Sequence, residues 1–372
     1  MNPHLHIVSF NVPLPANYGG VIDVYYRMKA LAAAGVQIHL HCFAYGRAKA
    51  PELERHCVEV RYYRRDMSPL RMLDRRPFIV ASRDCKELKA RLMQDRHPIL
   101  LEGLHCCAPL EEENLCKGRT IMVRAHNVEG EYYRRLATSE RRWGKRLYLK
   151  MDARKIARYE PTLARATAVL AVSEGERRAF EAMGCRNVHT MSSCHPYDEV
   201  ASRSGQGTYA LYHGALDVAE NGRATEWLID NIVGGTDVPL VIAGANPPER
   251  LRTKAAAHAN VRLIANPSDA EMQRLIGDAQ VCLLVTDQPT GLKLKLLNSL
   301  FAGRHCLVNP EMVAGTQLGD LCTVADGSEA LRNALRTLMQ TPFSDSLLAS
   351  RRERLHSLTP AEAVKPVLDL LK

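Results

Sequence analysis

Several absences narrow the field first. No apolar run approaches the ~20 residues that a membrane-spanning helix needs. There is no C-x-x-C and no H-E-x-x-H, and the Cys106–Cys107 pair is adjacent, which is poor spacing for metal ligands. No bound metal is expected. The G-x-G-x-x-G of dinucleotide binders is missing, and so is the P-loop, which argues against a NAD enzyme and a P-loop nucleoside triphosphatase. Aromatic residues make up only 6% of the chain and no nucleic-acid-binding module is visible, so nucleic acid is not expected as a partner. The N-terminus lacks a charged segment followed by an apolar one and reads as a first strand, not a signal peptide. Eleven cysteines, odd in number and scattered, fit a reduced, cytoplasmic compartment.

At 372 residues the chain is too long for one ordinary core and suits two domains. Its net charge of +9 is unevenly spread. Residues 1–200 carry 33 Lys and Arg against 23 Asp and Glu, whereas residues 201–372 carry 17 against 18. A basic first half by itself fits an anionic partner, whether nucleic acid, a phosphorylated acceptor or an acidic membrane surface; a well-solvated basic surface fits equally.

The first forty residues form one unit. Leu5 to Phe10 is a short apolar strand, and Asn11 to Gly20 a loop. Val21, Val24, Tyr25, Met28, Leu31 and Ala32 then recur at helical spacing. Gly35 stands where a helix C-cap glycine belongs, and Val36 to Phe43 is the next strand. This is the opening of a parallel, doubly wound sheet. Residues 98–102, 121–124 and 168–172 read as further strands, and 131–160 as a long basic helical region interrupted near Gly144. Residues 201–208 are polar and flexible and read as a linker. The pattern then restarts, with strands at 209–213, 239–244, 261–264, 281–285 and 305–308. Ser268 and Glu271 have the spacing of a capping box. The expected architecture is therefore α/β: a domain over 1–203, a second over 204–358, and a final helix over 359–372 whose apolar face must bury against something.

In open parallel sheets, ligands bind beyond the carboxyl ends of the strands, so the strand-to-helix loops are the places to look. Five stand out. Tyr18, Gly19 and Gly20 precede the first helix, where backbone N–H groups can meet an anion; a plain tight turn is the other reading. Glu102 and His105 follow a strand and can act as acid, base or hydrogen-bonding groups. Arg124, His126 and Asn127 follow another, although Asn and His also serve as ordinary turn formers. Gly214 ends the first strand of the second half and can lie beneath a diphosphate. Thr290 and Gly291 open a helix on which Lys295 and Asn298 share a face one turn apart. Lys295 can neutralise phosphate there, and Asn298 can bond a ribose hydroxyl.

These segments together resemble the GT-B glycosyltransferases, and among them a divergent bacterial branch of the large retaining group that builds cell-envelope polysaccharides. The resemblance rests on the Gly19–Gly20 loop, residues 102–105 and 124–129, the Tyr212-His-Gly214 turn, and the Thr290-Gly-Leu-Lys-Leu-Lys-Leu-Leu-Asn298 helix. It implies two Rossmann-like domains facing across a cleft, with the last helix crossing back to the first domain. It implies transfer of a sugar from a nucleotide-diphosphate sugar to a lipid-linked or polysaccharide acceptor, with retention and without a bound metal. No D-x-D motif is present. By this likeness Gly19, Gly20, His126 and Lys295 serve catalysis. Gly214, Thr290, Gly291, Lys295 and Asn298 hold the donor, while Tyr18, Glu102, His105, Arg124 and Asn127 face the acceptor.

There are departures from the family pattern. Thr290 and Asn298 stand where typical members carry two glutamates, and Ala215, Leu216, Glu220 and Asn221 occupy the region that usually supplies an Arg and a Lys. A non-catalytic relative, acting as a binding or scaffold subunit in polysaccharide assembly, is the alternative these departures raise. The basic stretch Arg134 to Arg158, with Arg71, Arg75 and Arg76, further suggests peripheral contact of the first domain with an anionic membrane at the inner face of the cell membrane.

Overall fold

The computed structural model describes residues 2–140, 142–287 and 293–372. The chain divides into two compact units. Unit 1 comprises Met1–Ala16, Gly20–Cys194 and Ala363–Lys372; unit 2 comprises Asn17–Gly19 and His195–Glu362.

Unit 1 is built on a seven-stranded sheet: β1 His4–Ser9, β2 Gln37–Ala44, β3 Glu59–Arg64, β4 Ile99–Glu102, β5 Ile121–Ala125, β6 Ala168–Ala171 and β7 Val188–Thr190. Its spatial order is β3-β2-β1-β4-β5-β6-β7, and every pairing is parallel. Unit 2 repeats the plan with β8 Ala210–His213, β9 Leu240–Gly244, β10 Val261–Ala265, β11 Val281–Leu284, β12 His305–Val308 and β13 Thr323–Val324, ordered β10-β9-β8-β11-β12-β13 and again parallel. In each sheet the chain winds outward from a central strand and then reverses. The reversal leaves a crevice beyond the carboxyl ends of β1 and β4 in one unit, and of β8 and β11 in the other.

Central parallel strands are covered on both faces, so they read as continuous apolar runs. Ile99–Glu102, Ala168–Ala171 and Val281–Leu284 are buried at every position. The sequence pattern finds these strands and misses β3, β7 and β13. All three are edge strands, where one side meets water and polar residues are tolerated. In β3 only Tyr63 is buried.

Gly35 ends the helix Gly19–Ala33 with φ +88, the left-handed geometry that glycine adopts without a Cβ penalty. Ser268 caps Asp269–Asp278 by accepting the Glu271 N–H at 3.2 Å. The basic region forms two packed helices, Glu129–Ser139 and Trp143–Tyr159, broken before Trp143 rather than at Gly144. Gly130 allows their close approach: a Cβ there would lie 2.8 Å from Glu160 Oε2 and 3.4 Å from Ala157.

The polar stretch 201–208 belongs to unit 2 and is tied down by backbone bonds. Ala201 N donates to Phe301 O at 2.7 Å, and Gly205 pairs with Phe343. Composition alone made it a linker; hydrogen bonding makes it part of the fold. At the C-terminus, Pro360–Ala363 and Lys365–Leu370 are separated by a turn at Val364, because Pro366 cannot donate into a continuing helix. Ala363, Val364 and Val367 enter the unit 1 core beside Leu5, Ile7 and Ile38, so the final helix packs on the first unit's sheet.

Candidate functional site

In unit 2 the carboxyl ends of β8 and β11 receive the helix Leu294–Ala302. Leu296, Leu297, Leu300 and Phe301 bury one face of it. That anchoring turns Lys295 and Asn298 towards the crevice. Lys295 Nζ donates to Asn221 Oδ1 at 2.9 Å and to Tyr212 Oη at 3.2 Å, and lies 5.2 Å from the Tyr212 ring centroid. Its partners are neutral, and among the described residues no carboxylate lies within ion-pair distance of it. Burial lowers its pKa, with Glu220 and Asp287 opposing from further away. A half-buried ammonium without a counterion is a ready site for phosphate oxygen.

Asn298 adds a second open valence. Its Oδ1 is buried without a hydrogen-bond partner among the described residues. An orphaned buried acceptor costs on the order of 1–3 kcal/mol unless something donates to it. Behind both, His213 Nε2 and Ser299 Oγ meet at 2.8 Å and join the end of β8 to the helix. Gly214 continues from His213, and its carbonyl oxygen would lie 1.7 Å from a Cβ on Gly244. Gly244 therefore has to be glycine for the Gly214 turn to keep its position. Thr290 and Gly291 lie outside the described residues.

A cavity of about 360 Å³ opens beside this, at the carboxyl ends of β11, β12 and β13. Glu220, Arg223, Trp227, Thr286 and Asn309 help line it. The Thr286 hydroxyl donates to Glu220 Oε1. Asn309 pins the Thr286 backbone from both sides, accepting from its N–H at 3.1 Å and donating to its carbonyl at 2.7 Å. Trp227 and Asn309 carry no local motif and were not legible as lining residues in the sequence.

Unit 1 has its own strand-end cluster. Arg27 donates to Glu102 Oε1 and Oε2, both at 3.0 Å, and to Asp23 Oδ2 at 2.9 Å. Arg124 Nε reaches the same Asp23 oxygen at 3.3 Å, and its Nη1 donates to the Met191 carbonyl at 2.6 Å. Cys194 N donates to Asp23 Oδ1 at 2.7 Å. None of the four charged residues exceeds 2% exposure. Burial by itself would raise the Asp23 pKa; Arg27, Arg124 and His126 outweigh it and hold the carboxyl well below the usual range.

This corrects the expected outward role of Glu102 and Arg124. Their charges are spent inside the unit, because two carboxylates and two guanidinium groups can be buried together only by neutralising one another. His126 lies against them, with Nδ1 3.6 Å from Asp23 Oδ2 and Nε2 3.5 Å from Glu102 Oε2, and that Nε2 is buried without a hydrogen-bond partner among the described residues. An imidazole set against two carboxylates can hold or pass a proton. Asp23 and Arg27 were missed; their signal was an Asp-x-x-x-Arg pair inside an otherwise apolar helix face.

His105 comes close to His126 because Gly103 lies between them with φ +76. A Cβ there would sit 3.0 Å from His105 Nδ1 and 3.3 Å from His126 Cδ2. Burial pushes the His105 pKa well down, and Arg83 adds to this. The Asn127 side chain is engaged by Glu129, whose carboxyl burial pushes up to about 7. Gly19 and Gly20 begin the first helix, and Tyr18 just before it is 37% exposed.

Comparison with solved structures settles the architecture. The apo structure of OtsA matches with a TM-score of 0.67 at 10% identity over 99% of both chains. Anabaena HepE in complex with UDP and glucose matches at 0.65 and 12% identity, over 100% of this chain and 99% of that one. The apo lipopolysaccharide outer core galactosyltransferase WaaB matches at 0.63 and 12% identity, over 98% and 99%. The chain has the GT-B fold. At these identities the fold is what is shared. In sequence, the chain is 25% identical over 346 residues to an uncharacterized 44.6 kDa protein in the cps region of Klebsiella pneumoniae, covering 87% of this chain and 86% of that protein. No family model matches the chain. Among the described residues, no helix of this GT-B chain is long and apolar enough to cross a membrane.

Proposed function

We propose that the protein is a glycosyltransferase that moves a sugar from a nucleotide-diphosphate sugar to an envelope glycan or its lipid-linked precursor, with retention. The observation that carries this reading is the pair on the Leu294–Ala302 helix: among the described residues, the Lys295 ammonium has no counterion and the buried Asn298 Oδ1 has no donor, and the two lie one turn apart at the strand-end crevice. Diphosphate oxygens suit the first and a ribose hydroxyl suits the second. The HepE structure holds UDP and glucose on the same fold, which supports a nucleotide-sugar here.

Lys295 also supplies a cation beside the Gly214 loop. It reaches Asn221 from the far side of the crevice, bringing positive charge to the region that the resemblance leaves empty. Phosphate charge developing as the donor bond breaks would be stabilised there. On the acceptor side, His126 would hold the hydroxyl proton.

An anionic acceptor is supported by Arg65. Its guanidinium lies over Tyr45 and Phe78, at 4.8 and 5.4 Å from the ring centroids, and has no carboxylate within ion-pair distance among the described residues. A lipid surface is supported by the helix Trp143–Tyr159. Trp143, Leu147 and Met151 recur every fourth residue and are 83%, 53% and 53% exposed. Arg146, Lys150 and Arg154 are interleaved with them. Such a face suits the headgroup layer of an anionic membrane. Arg71 and Arg76 do not contribute: Asp66 pairs the first, while Asp74, Asp84 and Glu111 pair the second.

Isothermal titration with UDP, GDP and other nucleotide diphosphates, followed by donor hydrolysis assays, tests the proposal. Binding of one nucleotide is expected, weakened at least ~10-fold by Lys295→Met or Asn298→Ala, a loss of about 1.4 kcal/mol per variant. No binding across the panel sinks it. Tight binding without turnover or transfer favours the scaffold reading.

A further inference from the structure

The opposite end of the first sheet carries a cluster that neither crevice uses. His4 opens β1, His39 lies in β2, and His97 immediately precedes the segment leading into β4. One ring nitrogen from each lies within 4.8 Å of the other two. His4 Nδ1 and His39 Nε2 are 3.0 Å apart. The His97 ring stacks on His4 at 4.5 Å between centroids and lies 5.7 Å from His39.

The remaining nitrogen of His39 is already committed. Its Nδ1 lies 3.1 Å from Glu59 Oε2, and Arg91 Nη2 donates to the same carboxylate oxygen at 2.7 Å. A carboxylate can only accept, so in the shorter contact His39 Nδ1 donates to Glu59, while Arg91 Nη2 lies further off at 3.4 Å; the Nε2 lone pair then faces His4. A carboxylate behind an imidazole is the arrangement that orients metal-bound histidines and raises their basicity. The nearby cations are balanced, since Arg91 pairs with Glu59 and Asp95, and Arg119 pairs with Asp95.

We propose that His4, His39 and His97 bind one divalent transition-metal ion of the zinc type. Three imidazole nitrogens and a water complete a tetrahedron, and Glu59 supports His39 from behind. The His4 and His97 rings stack at 14° between planes, so one of these half-buried rings turns to bring its lone pair onto the ion. The site lies at the amino ends of the strands, whereas both crevices lie at the carboxyl ends. Its role is therefore to staple β1, β2 and the segment before β4. The ligands come from three distant segments, which is why no metal-binding spacing appears in the sequence.

The test is titration of Co²⁺, then Zn²⁺, into the chelator-treated full-length protein. The expected result is one equivalent of cobalt with the visible absorption of a tetrahedral nitrogen and oxygen site, displaced by zinc, and a rise in melting temperature with zinc. His97→Ala should lose affinity at least ~10-fold and Glu59→Gln about 10–100-fold. His4→Gln, at the first residue of β1, gives the same reading should His97→Ala fail to fold. Absence of binding, a near-ultraviolet thiolate band, or wild-type affinity in both His4→Gln and His97→Ala overturns the proposal.

Discussion

Removing one charge from the buried cluster of unit 1 makes a demanding test of its structure. Arg27→Met keeps an apolar stem and deletes the guanidinium that bonds Glu102 through two contacts and Asp23 through a third. Asp23 and Glu102 are then left with Arg124 alone, one buried negative charge in excess. Breaking a buried pair by deleting one partner costs about 3–5 kcal/mol. For a unit of this size each kcal/mol shifts the melting temperature by about 2–4 °C, so the unit 1 transition should fall by roughly 6–20 °C.

The pH dependence has a definite sign. In the wild type the depressed Asp23 pKa contributes stability that is present above the ordinary carboxylate pKa and lost as pH falls through the folded value. In the variant, burial dominates and the folded carboxyl pKa rises above the unfolded one. The variant is then penalised most at neutral pH, and its deficit narrows as pH drops towards about 5. Scanning calorimetry at several pH values measures the deficit, and hydrogen exchange of β1 and β4 assigns it to unit 1. Arg27→Met with Glu102→Gln restores neutrality and should recover much of the loss. A fall under ~3 °C, or a deficit constant between about pH 8 and 5, would refute the cluster as drawn.

Other perturbations follow from single contacts. Burial pushes the His213 imidazole down to about 3, and the Lys295 charge adds to this. The unfolded imidazole, near 6.5, accepts a proton that the folded one refuses, so unit 2 should lose up to ~1.4 kcal/mol per pH unit below that value. His213→Gln removes this slope, as calorimetry from neutral pH to about pH 4 would reveal; an unchanged slope assigns it elsewhere. Gly244→Ala drives a methyl into the Gly214 carbonyl and should cost on the order of 3 kcal/mol while weakening nucleotide binding; an unaffected variant means the turn is not packed as described. Deleting residues 360–372 removes Val364 and Val367 from the unit 1 core, with a loss of roughly 3–6 kcal/mol at 1.5–3 kcal/mol per buried valine. Chemical denaturation checks it, and wild-type stability of the truncated chain would remove the helix from the core. Trp143→Ser with Leu147→Ser should cut sedimentation with anionic vesicles, whereas equal binding would move the membrane face elsewhere.

By itself the sequence determined the two-domain α/β plan. Buried parallel strands need apolar residues on both faces, and that requirement is local enough to read from runs such as Leu100, Leu101 and Val281 to Leu284. Gly35 and Ser268 marked helix ends for equally local reasons. The helix carrying Lys295 and Asn298 was legible because residues one turn apart share a face wherever the helix goes. What that face meets was decided by the tertiary structure. Tyr212 and Asn221 reach Lys295 only because parallel crossovers bring distant strand ends to one crevice. The same winding sets Asp23 against Arg124, turning two expected ligand-facing residues, Glu102 and Arg124, inward. It also gathers His4, His39 and His97 at the other end of the sheet. Periodicity records which face of an element is apolar. It carries no record of which polar residues, far apart in the chain, that face will bring into contact.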